Sequence, residues 1–398
     1  MKCVIIGSGV AGMTAALDLA KVEGVDVDLY TDEVHPYYYR PQVTNFLAGV
    51  VPLERVFLHP LTWYEERGVR MHLNSPVARL EPEQRQIVLE DGTVVPYDKL
   101  LLTTGSCPFV PPIEGVKRPG VFTVRTLSDA LAIKEYALQC RQAVVVGGGL
   151  LGLEAARGLK GMGLEVTIVE FMPRLMPVQL DADGAAILRN FVESQGYHVF
   201  LGTSVKAVVG DGKMDGVVLS SGETLPAQLL IVAAGVRSNT TLAQAAGLTL
   251  DRGVVVNAQM QTSAPDIYAA GDVARFEGIC WAIVPTAQAQ ARIAVSNILG
   301  QPAYYENLAP TTTLKVMGIE VNSMGTINPP ADAHEAFQFT TPDASVYRKI
   351  VLQHADGGSV IVGAITINDK VLAKKLGALI EQRAPLTAAE AQSLVKGV

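Results

Sequence analysis

The sequence predicts an α/β protein with two Rossmann-like dinucleotide-binding domains, each with a small antiparallel β insertion, and a C-terminal α+β domain. Residues 4–16, VIIGSGVAGMTAA, align without gaps with residues 144–156, VVVGGGLLGLEAA. A second apolar run follows each copy, VDVDLY at 25–30 and EVTIVE at 165–170. Near residue 306 the glycine-turn pattern stops and short strand patterns replace it, which predicts a separate third domain.

Both copies have the strand–turn–helix context that makes a GxGxxG motif specific for dinucleotides. The first glycine permits a tight turn, the second lets the backbone approach phosphates, and the third lets the helix pack closely on the strand. The pyrophosphate then lies at a helix N-terminus, where free N–H groups and the dipole favour anions. The glycines are Gly7, Gly9 and Gly12 in the first copy and Gly147, Gly149 and Gly152 in the second.

An acidic residue near the end of the second strand binds the adenosine ribose in this motif. In the second copy this residue is Glu170, whose charge would repel a 2′-phosphate and therefore favours NAD(H) over NADP(H), although Arg174 follows four residues later. In the first copy Thr31 aligns with Glu170. Asp32 and Glu33 come next, and either could bind the ribose, with Asp32 favoured.

Two further strands end in small residues and glycine, in YDKLLLTTGS at 97–106 and AQLLIVAAGV at 227–236. Each follows a hairpin pattern, with turns at Asp91-Gly92 and Ser221-Gly222. The terminal glycines would let the backbone pass close to a bound dinucleotide, and they are Gly105 and Gly235.

A third strand pattern, TSAPDIYAAGDVA at 262–274, ends at Gly271-Asp272. The Asp272 carboxylate could cap a helix or bind a sugar hydroxyl, and the neighbouring nucleotide motifs favour the second role. Pro285 then opens a helical pattern that ends at Gly300. Further on, Thr387 and Glu390 have the spacing of a capping box at the start of a last helix.

Charge and composition disfavour several classes of protein. The net charge of -7 argues against a nucleic-acid-binding protein, and no apolar run reaches the roughly 20 residues that a membrane span needs. The opening MKCVIIGSG runs directly into a glycine turn without a cleavage site, so we expect a first strand and a cytoplasmic protein. Because the cysteines have no metal-binding or redox spacing, neither a metal site nor a local redox disulfide is predicted at Cys3, Cys107, Cys140 or Cys280.

Together these motifs resemble the FAD- and NAD(P)-dependent pyridine nucleotide oxidoreductases over the whole chain. The chain looks most like NADH:rubredoxin reductases, ferredoxin reductases and the flavin part of assimilatory nitrite reductases. The resemblance implies an FAD domain at 1–113 and 243–305, an NAD domain at 114–242 and a C-terminal domain at 306–398. The segments on which this resemblance rests are VIIGSGVAG, YYYRP, LLTTGS, FTVRTLSDA, VVVGGGLLGLE, TSAPDIYAAGD and TTTLKVMGIEVNSMG.

The resemblance also implies two sets of cofactor-binding residues. The first would hold the FAD pyrophosphate, ribose, adenine, isoalloxazine and ribityl groups: Gly7, Gly9, Ala11, Gly12, Asp32, Glu33, Arg40, Pro41, Val77, Thr104, Gly105, Arg125, Gly271, Asp272, Val284 and Pro285. The second would hold NAD(H), with Glu154 near the nicotinamide: Gly147, Gly149, Leu150, Leu151, Gly152, Glu154, Glu170 and Gly235.

Residues 35–46, HPYYYRPQVTNF, contain no cysteine, although this region often carries a redox-active cysteine in such flavoenzymes. Electrons are therefore expected to leave the flavin directly. Ferredoxin reductases commonly read RPPLSK where this chain reads RPQVTN, so Asn45 replaces a lysine that can pair with the helix glutamate. The resemblance thus implies that Asn45 and Glu154 lie near flavin N5 and that Glu154 lacks this partner. For Tyr37 to Tyr39, packing at the domain edge and docking of a carrier both stay open.

The implied activity is transfer of electrons from NADH through FAD to a small iron-containing carrier such as rubredoxin or ferredoxin. The alternatives are an NADH oxidase that uses O₂, a flavin subunit of a larger reductase, and a non-enzymatic redox-sensing flavoprotein. A monomer and a homodimer are both compatible with the sequence. A basic cluster could dock an acidic carrier or form a solvated helix face, and it comprises Lys370, Lys374, Lys375 and Arg383.

Overall fold

The computed structural model describes residues 1–307, 311–329, 334–355 and 358–397. Its helices and strands are numbered in chain order. The first part of the chain contains β1 (Lys2–Ile6), α1 (Val10–Leu19), β2 (Asp26–Tyr30), α2 (Gln42–Leu47), α3 (Leu61–Glu65), β3 (Val69–His72), β4 (Val77–Glu81), β5 (Gln86–Leu89), β6 (Val94–Pro96), β7 (Lys99–Leu102) and β8 (Ser106–Pro108).

The middle part continues the same alternation of strands and helices. It contains β9 (Val121–Thr123), α4 (Leu127–Ala137), β10 (Gln142–Val146), α5 (Leu150–Gly161), β11 (Glu165–Glu170), α6 (Ala182–Ser194), β12 (His198–Leu201), β13 (Val205–Val209), β14 (Gly216–Leu219), β15 (Thr224–Pro226), β16 (Leu229–Val232), β17 (Val236–Ser238) and α7 (Thr241–Ala245).

The last part starts with short strands and ends in an antiparallel domain. It contains β18 (Val254–Val255), β19 (Ile267–Ala269), β20 (Ala274–Arg275), α8 (Val284–Ile298), β21 (Thr311–Val316), β22 (Ile319–Gly325), β23 (His334–Thr340), β24 (Tyr347–Ala355), β25 (Gly358–Ile367), α9 (Lys370–Gln382), β26 (Pro385–Leu386) and α10 (Ala388–Lys396).

Each glycine-rich repeat forms the centre of a five-stranded parallel sheet. The first sheet has the order β19-β7-β1-β2-β3, and the second has the order β9-β16-β10-β11-β12. In both sheets the repeat's first strand lies between its own second strand and the strand that follows the hairpin. The sequence repeat is therefore also a repeat of topology, which confirms the predicted pair of Rossmann-like units.

The turns after β1 and β10 depend on glycine. Gly7 and Gly147 have φ angles of +109° and +115°, which L-residues with a side chain rarely adopt. A Cβ added at Gly12 would collide with the carbonyl oxygen of Gly7, and one added at Gly152 would collide with that of Gly147. These contacts set the first turns of α1 and α5 directly against the ends of their strands.

Both predicted insertions are three-stranded antiparallel sheets, β4–β5–β6 and β13–β14–β15. Their turns contain Gly92 and Gly222, with φ angles of +86° and +90°. A separate antiparallel pair, β8 with β17, brings Cys107 opposite Arg237 and joins the two dinucleotide-binding units. The predicted antiparallel insertions are thus confirmed.

Helices pack on each other both within the first dinucleotide-binding unit and between the two units. α1 lies against α8, and α2 lies against α5. A Cβ added at Gly158 would stand 2.9 Å from Cγ of Leu47, so the α2–α5 contact requires a small residue. None of the described helices combines the length and the apolar character that a membrane span requires.

The C-terminal unit is an antiparallel sheet with the order β21-β22-β25-β24-β23, and β26 pairs with β25. One face packs against α9 and α10 through residues such as Leu352, Leu376 and Val395. Val321 and Ile365 belong instead to the hydrophobic core of the second dinucleotide-binding unit. α10 begins with the predicted capping box between Thr387 and Glu390. This arrangement confirms the predicted α+β domain.

A buried polar cluster fixes the C-terminal sheet to α6. Asp181 caps α6 by accepting a hydrogen bond from the Gly184 N–H at 3.0 Å, and it also accepts hydrogen bonds from Tyr347 Oη at 2.6 Å and Lys349 Nζ at 2.8 Å. Burial alone would raise the pKa of Asp181. The hydrogen bonds from Lys349, Tyr347 and Gly184 outweigh burial, so its pKa lies below the usual 3.8.

We expect Asp181→Asn to destabilise the protein by about 2 kcal/mol at neutral pH, because a charged acceptor is lost from three hydrogen bonds. Since the pKa of Asp181 is lowered in the folded state, its stabilising contribution is present above pH 3.8 and is lost as the pH falls further. The difference in thermal unfolding midpoint between variant and parent should therefore shrink in acid. Asp183→Asn is the control, because Asp183 is exposed and accepts one bond from Gln338. An equal fall in the thermal unfolding midpoint of both variants would contradict a specific role for Asp181.

Candidate functional site

A cavity of about 1240 Å³ opens at the carboxyl ends of β1, β2, β7 and β19. α5 and the turn between β21 and β22 complete its wall, so all three structural units contribute. Ligands of open α/β sheets bind at this edge. Most residues predicted from the sequence line the cavity: Gly7, Gly9, Ala11, Asp32, Arg40, Pro41, Asn45, Val77, Thr104, Gly105, Arg125, Leu150, Leu151, Glu154, Gly271, Asp272 and Val284.

Free helix N-termini face this cavity. In the described part of the chain, α1, α5 and α8 begin at Gly9, Gly149 and Ile283 without a side-chain cap. The space in front of Gly9 and Gly149 is open, since a Cβ added at either would have no neighbour within 4 Å. Unpaired N–H groups at a helix start bind anions such as pyrophosphate. By contrast, four other helices are capped by side chains, those of Thr126, Asp181, Asp369 and Thr387.

The two acids after β2 have different environments. Asp32 is exposed and lines the cavity. Glu33 is buried and does not line it, because its carboxylate accepts hydrogen bonds from Tyr38 Oη at 2.9 Å and from Arg40 Nη2 at 2.8 Å. In this structure Glu33 therefore supports the wall of the cavity and does not face the cavity itself. Asp32 is the acid available to a ligand.

The tyrosine run, Tyr37 to Tyr39, packs behind the wall of the cavity. The hydroxyl of Tyr38 accepts a hydrogen bond from the Leu127 N–H at 3.0 Å, in the first turn of α4, and Arg40 Nη1 donates to the Arg125 carbonyl at 3.3 Å. Tyr38 is 4% exposed, and burial raises its pKa. Tyr37 and Tyr39 are half-buried. Packing at the domain junction therefore accounts for the run better than a docking surface does.

Asp272 lies in a short 3₁₀ turn, Gly271–Val273, and does not cap a helix. Its Oδ2 accepts hydrogen bonds from Ser106 Oγ at 2.7 Å and Arg125 Nη2 at 2.9 Å. Its other oxygen makes no hydrogen bond within the described residues and is available to a ligand. Ser106 also lines the cavity and was missed, although it directly follows the LLTTG strand end.

Glu154 has a cationic partner that the comparison with the ferredoxin-reductase motif does not reveal. Arg157, one turn later on α5, donates to Glu154 Oε2 from Nη2 at 2.5 Å and from Nε at 2.9 Å. Its Nη2 also donates to Asn45 Oδ1 at 3.1 Å. Position 45 supplies no lysine to Glu154, as the sequence indicates, and α5 itself supplies a cation instead. The i,i+3 spacing of Glu154 and Arg157 was the available signal.

The second glycine motif and its acid lie at the carboxyl edge of the second sheet. Glu170 accepts hydrogen bonds from the Gly148 N–H at 2.5 Å and the Met172 N–H at 2.7 Å. Arg174 donates to the carbonyls of Pro177 and Leu180, each at 3.2 Å, so its guanidinium is bound within its own loop. Several predicted residues do not line the cavity itself: Gly12, Glu33, Pro285, Gly147, Gly149, Gly152, Glu170 and Gly235.

Comparison with known protein families agrees with this geometry. The family model described as pyridine nucleotide-disulphide oxidoreductase matches residues 1–294. The chain belongs to this family. Its members use FAD and NAD(H), the two cofactors predicted from the sequence. A second model, described as rubredoxin NAD+ reductase C-terminal domain, matches residues 310–384.

Relatives and solved structures extend the likeness over nearly the whole chain. The chain is 34% identical over 389 residues to a nitrite reductase [NAD(P)H] of Bacillus subtilis, covering 97% of this chain but 48% of that protein. It is 27% identical over 373 residues to the NADH-rubredoxin oxidoreductase of Clostridium acetobutylicum, covering 93% of both chains. The covalent putidaredoxin reductase–putidaredoxin complex matches with a TM-score of 0.88 and 26% identity, covering 100% of this chain and 98% of that chain. The predicted family and fold class are confirmed.

Removing the Tyr38 hydroxyl should loosen the junction between the β2 loop and α4. We expect Tyr38→Phe to lower the free energy of unfolding by about 1–2 kcal/mol, because the Glu33 carboxylate and the Leu127 N–H both lose a buried partner. Tyr39→Phe is the matched control, since its hydroxyl makes no hydrogen bond within the described residues. Thermal unfolding of both proteins gives the comparison. An equal loss in the two variants would contradict this role of Tyr38.

Proposed function

We propose that the chain transfers electrons from NADH, through bound FAD, to a small one-electron carrier such as rubredoxin or ferredoxin. The observation that carries this proposal is that the helices of both dinucleotide motifs reach one cavity: residues 9–11 at the start of α1 and Leu150, Leu151 and Glu154 on α5 all line it. When bound, FAD accepts a hydride and releases electrons singly. The protein's main task is to hold the two nucleotides in reacting orientation.

The residues of the first sheet fit FAD. The uncapped N-terminus of α1 would bind the pyrophosphate, and Asp32 would accept hydrogen bonds from the adenosine ribose. Val77 would offer its backbone to the adenine. Arg40 and Pro41 would form a wall for the isoalloxazine. The remaining positions would hold the ribityl and pyrimidine ends: Thr104, Gly105, Arg125, Gly271, Asp272 and Val284.

The contacts at the second sheet favour NADH over NADPH. The Glu170 carboxylate is fixed by two backbone N–H groups, so it would face the ribose in a defined position and repel a 2′-phosphate. Arg174 Nε and Nη2 are hydrogen-bonded to two backbone carbonyls, so these two donors are engaged within its own loop. The neighbouring residues that would support this nucleotide are Gly147, Gly149, Gly152 and Gly235.

The surroundings of the cysteines support direct transfer to an external carrier. All four cysteines are free thiols, and none belongs to the wall of the cavity. Cys280 lies beside Asp272, with Sγ 3.4 Å from its backbone carbonyl oxygen, and burial raises the pKa of this thiol. A thiol with a raised pKa is a poor nucleophile. We therefore propose that no sulfur relay receives the electrons.

Charged and apolar side chains at the rim of the cavity suit the approach of a carrier. Val50 and Lys315 line the cavity and are exposed. A second positive surface on α9 would attract an acidic carrier to a protein whose net charge is -7. Its residues are all exposed, and they are Lys370, Lys374, Lys375 and Arg383.

The domain boundaries are also a proposal. We place the FAD-binding unit at 1–113 and 243–305, the NAD-binding unit at 114–242 and the C-terminal unit at 306–398. Sheet membership supports the discontinuous first unit, because β19 joins the first sheet although it follows the second in the chain. β9 joins the second sheet, which supports a boundary before it.

A second candidate is the flavin part of a larger reductase. The observation that favours it is that the chain spans about half the length of the nitrite reductase it matches at 97% of its own length. In that case the acceptor would be a redox centre on another part of the assembly. The same flavin chemistry would serve both candidates.

The proposed function is tested by reducing the FAD-loaded protein with NADH under anaerobic conditions and mixing it with different acceptors. We expect rubredoxin or ferredoxin to reoxidise it faster than O₂ or a small disulfide does. Stopped-flow absorbance of the flavin gives the rates. Reoxidation by the disulfide alone would overturn the proposal, and faster reoxidation by O₂ than by any carrier would favour an oxidase. Slow reoxidation by every acceptor would favour a sensor or a dedicated partner subunit.

We expect Glu170→Gln to reduce the preference for NADH over NADPH by roughly tenfold, since a charged hydrogen bond to the ribose is lost and the repulsion of a 2′-phosphate falls. The measurement is the ratio of kcat/KM for flavin-dependent oxidation of the two nucleotides. Glu165→Gln, at the exposed start of the same strand, should leave this ratio unchanged. An unchanged ratio in Glu170→Gln would show that Glu170 does not select the nucleotide.

A further inference from the structure

Arg157 brings a positive charge to the wall of the cavity from α5, whereas the family motif would supply one from position 45. It lies on α5 and lines the cavity together with Glu154 and Asn45. The side chain of Glu154 is only 9% exposed, and that of Arg157 is 27% exposed. An ion pair with so little solvent around it is weakly screened, so its charges act on whatever occupies the cavity.

Asn45 and Arg157 are complementary in charge and geometry. The Asn45 Nδ2 donates to Gln42 Oε1 at 3.0 Å, which leaves its Oδ1 to accept from Arg157 Nη2 at 3.1 Å. A lysine at position 45 would instead bring a second cation against the guanidinium. A neutral acceptor at 45 is therefore what an arginine at 157 requires.

The other oxygen of Glu154 is also engaged. Glu154 Oε1 accepts a hydrogen bond from the Met317 N–H at 2.7 Å, in the turn between β21 and β22. Glu154 thus has the arginine on one oxygen and the C-terminal sheet on the other. Its carboxylate is held in place by contacts from two sides, and so is the guanidinium.

We infer that Arg157 is a positioning residue that supplies the positive charge beside Glu154 at the redox end of the cavity, with Asn45 as the acceptor that orients it. This inference rests on the proposed binding of FAD in the cavity. A fixed cation in a site with little water stabilises negative charge that develops on a bound group. Removal of Arg157 would also leave the Glu154 carboxylate without its cation, so the charge of the pair would change from neutral to negative.

A purely structural role for Arg157 makes a different prediction. As a link between α2 and α5, it would affect stability and FAD retention, and Glu154→Gln and Arg157→Gln would then act in the same direction. If Arg157 instead acts through its charge, the two substitutions should shift the FAD midpoint potential in opposite directions. The potential therefore separates the two roles.

The test is an anaerobic spectral titration of bound FAD against a reference dye at pH 8, in Arg157→Gln, Glu154→Gln and the double variant. We expect Arg157→Gln to lower the ratio of reduced to oxidised flavin about tenfold at a given potential, a shift of about 30 mV for a two-electron couple. Glu154→Gln should shift the potential the other way, and the double variant should return close to the parent. Lys160→Gln, which removes a cation from the same helix outside the cavity, should change nothing.

Restoring the charge from position 45 completes the test. The Asn45→Lys/Arg157→Gln protein should recover most of the parent potential, and Arg157→Lys should lie close to the parent. An unchanged potential in Arg157→Gln, or shifts of the same sign in both single variants, would overturn the inference. If Arg157→Gln fails to retain FAD, the midpoint potentials of Arg157→Lys and of Asn45→Lys/Arg157→Gln test the inference instead. A parent protein that binds no FAD would overturn the proposed function itself, so the two failures are distinguishable.

Discussion

The close contact of a helix start with a strand end is the constraint on which this site depends. At Gly12 and Gly152 no side chain separates the helix from the carbonyl group of the first glycine in the motif. The first turns of α1 and α5 therefore point at the carboxyl edges of the two sheets. Their uncapped N–H groups are unsatisfied by the protein and are left for a ligand. Helices elsewhere in the described chain, such as α4 and α6, carry Thr126 and Asp181 as caps, so part of their N-terminal N–H groups are bonded within the protein instead.

Behind this anion-binding edge, the buried Glu33 and the half-buried Asp272 are each paired with an arginine. Glu33 pairs with Arg40, and Asp272 pairs with Arg125. Arg40 also donates to the carbonyl of Arg125, so the two pairs form one polar chain along the cavity. An unpaired buried charge would be strongly unfavourable, whereas these pairs leave little net charge while fixing the side chains that face the ligand. These paired charges account for Tyr38 and Arg40 of the YYYRP segment, since both side chains donate hydrogen bonds to Glu33.

The elements that could be predicted are those encoded within short stretches of sequence. The glycine motifs, the Asp91-Gly92 and Ser221-Gly222 turns and the capping box at Thr387 all depend on residues a few positions apart, and each was identified from spacing alone. Spacing could not separate Asp32 from Glu33, because adjacent residues differ only in the direction of the side chain, which packing around Tyr38 decides. Ser106 with Asp272 and Asp181 with Lys349 join distant segments of the chain. No pattern in a single sequence reveals such pairs.

Arg157 illustrates what a resemblance carried over position by position does not reveal at Asn45. The comparison of RPQVTN with RPPLSK detects a lost lysine but does not detect a cation that arrives from another element. In this chain α5 supplies that cation one turn after the acid it neutralises, and α2 packs against α5 closely enough for Asn45 to accept from it. The field at the site is set by the sum of charges in contact, so the residue that carries a charge can change while the charge remains. A departure from a family motif is therefore best judged after every group facing the acid has been identified.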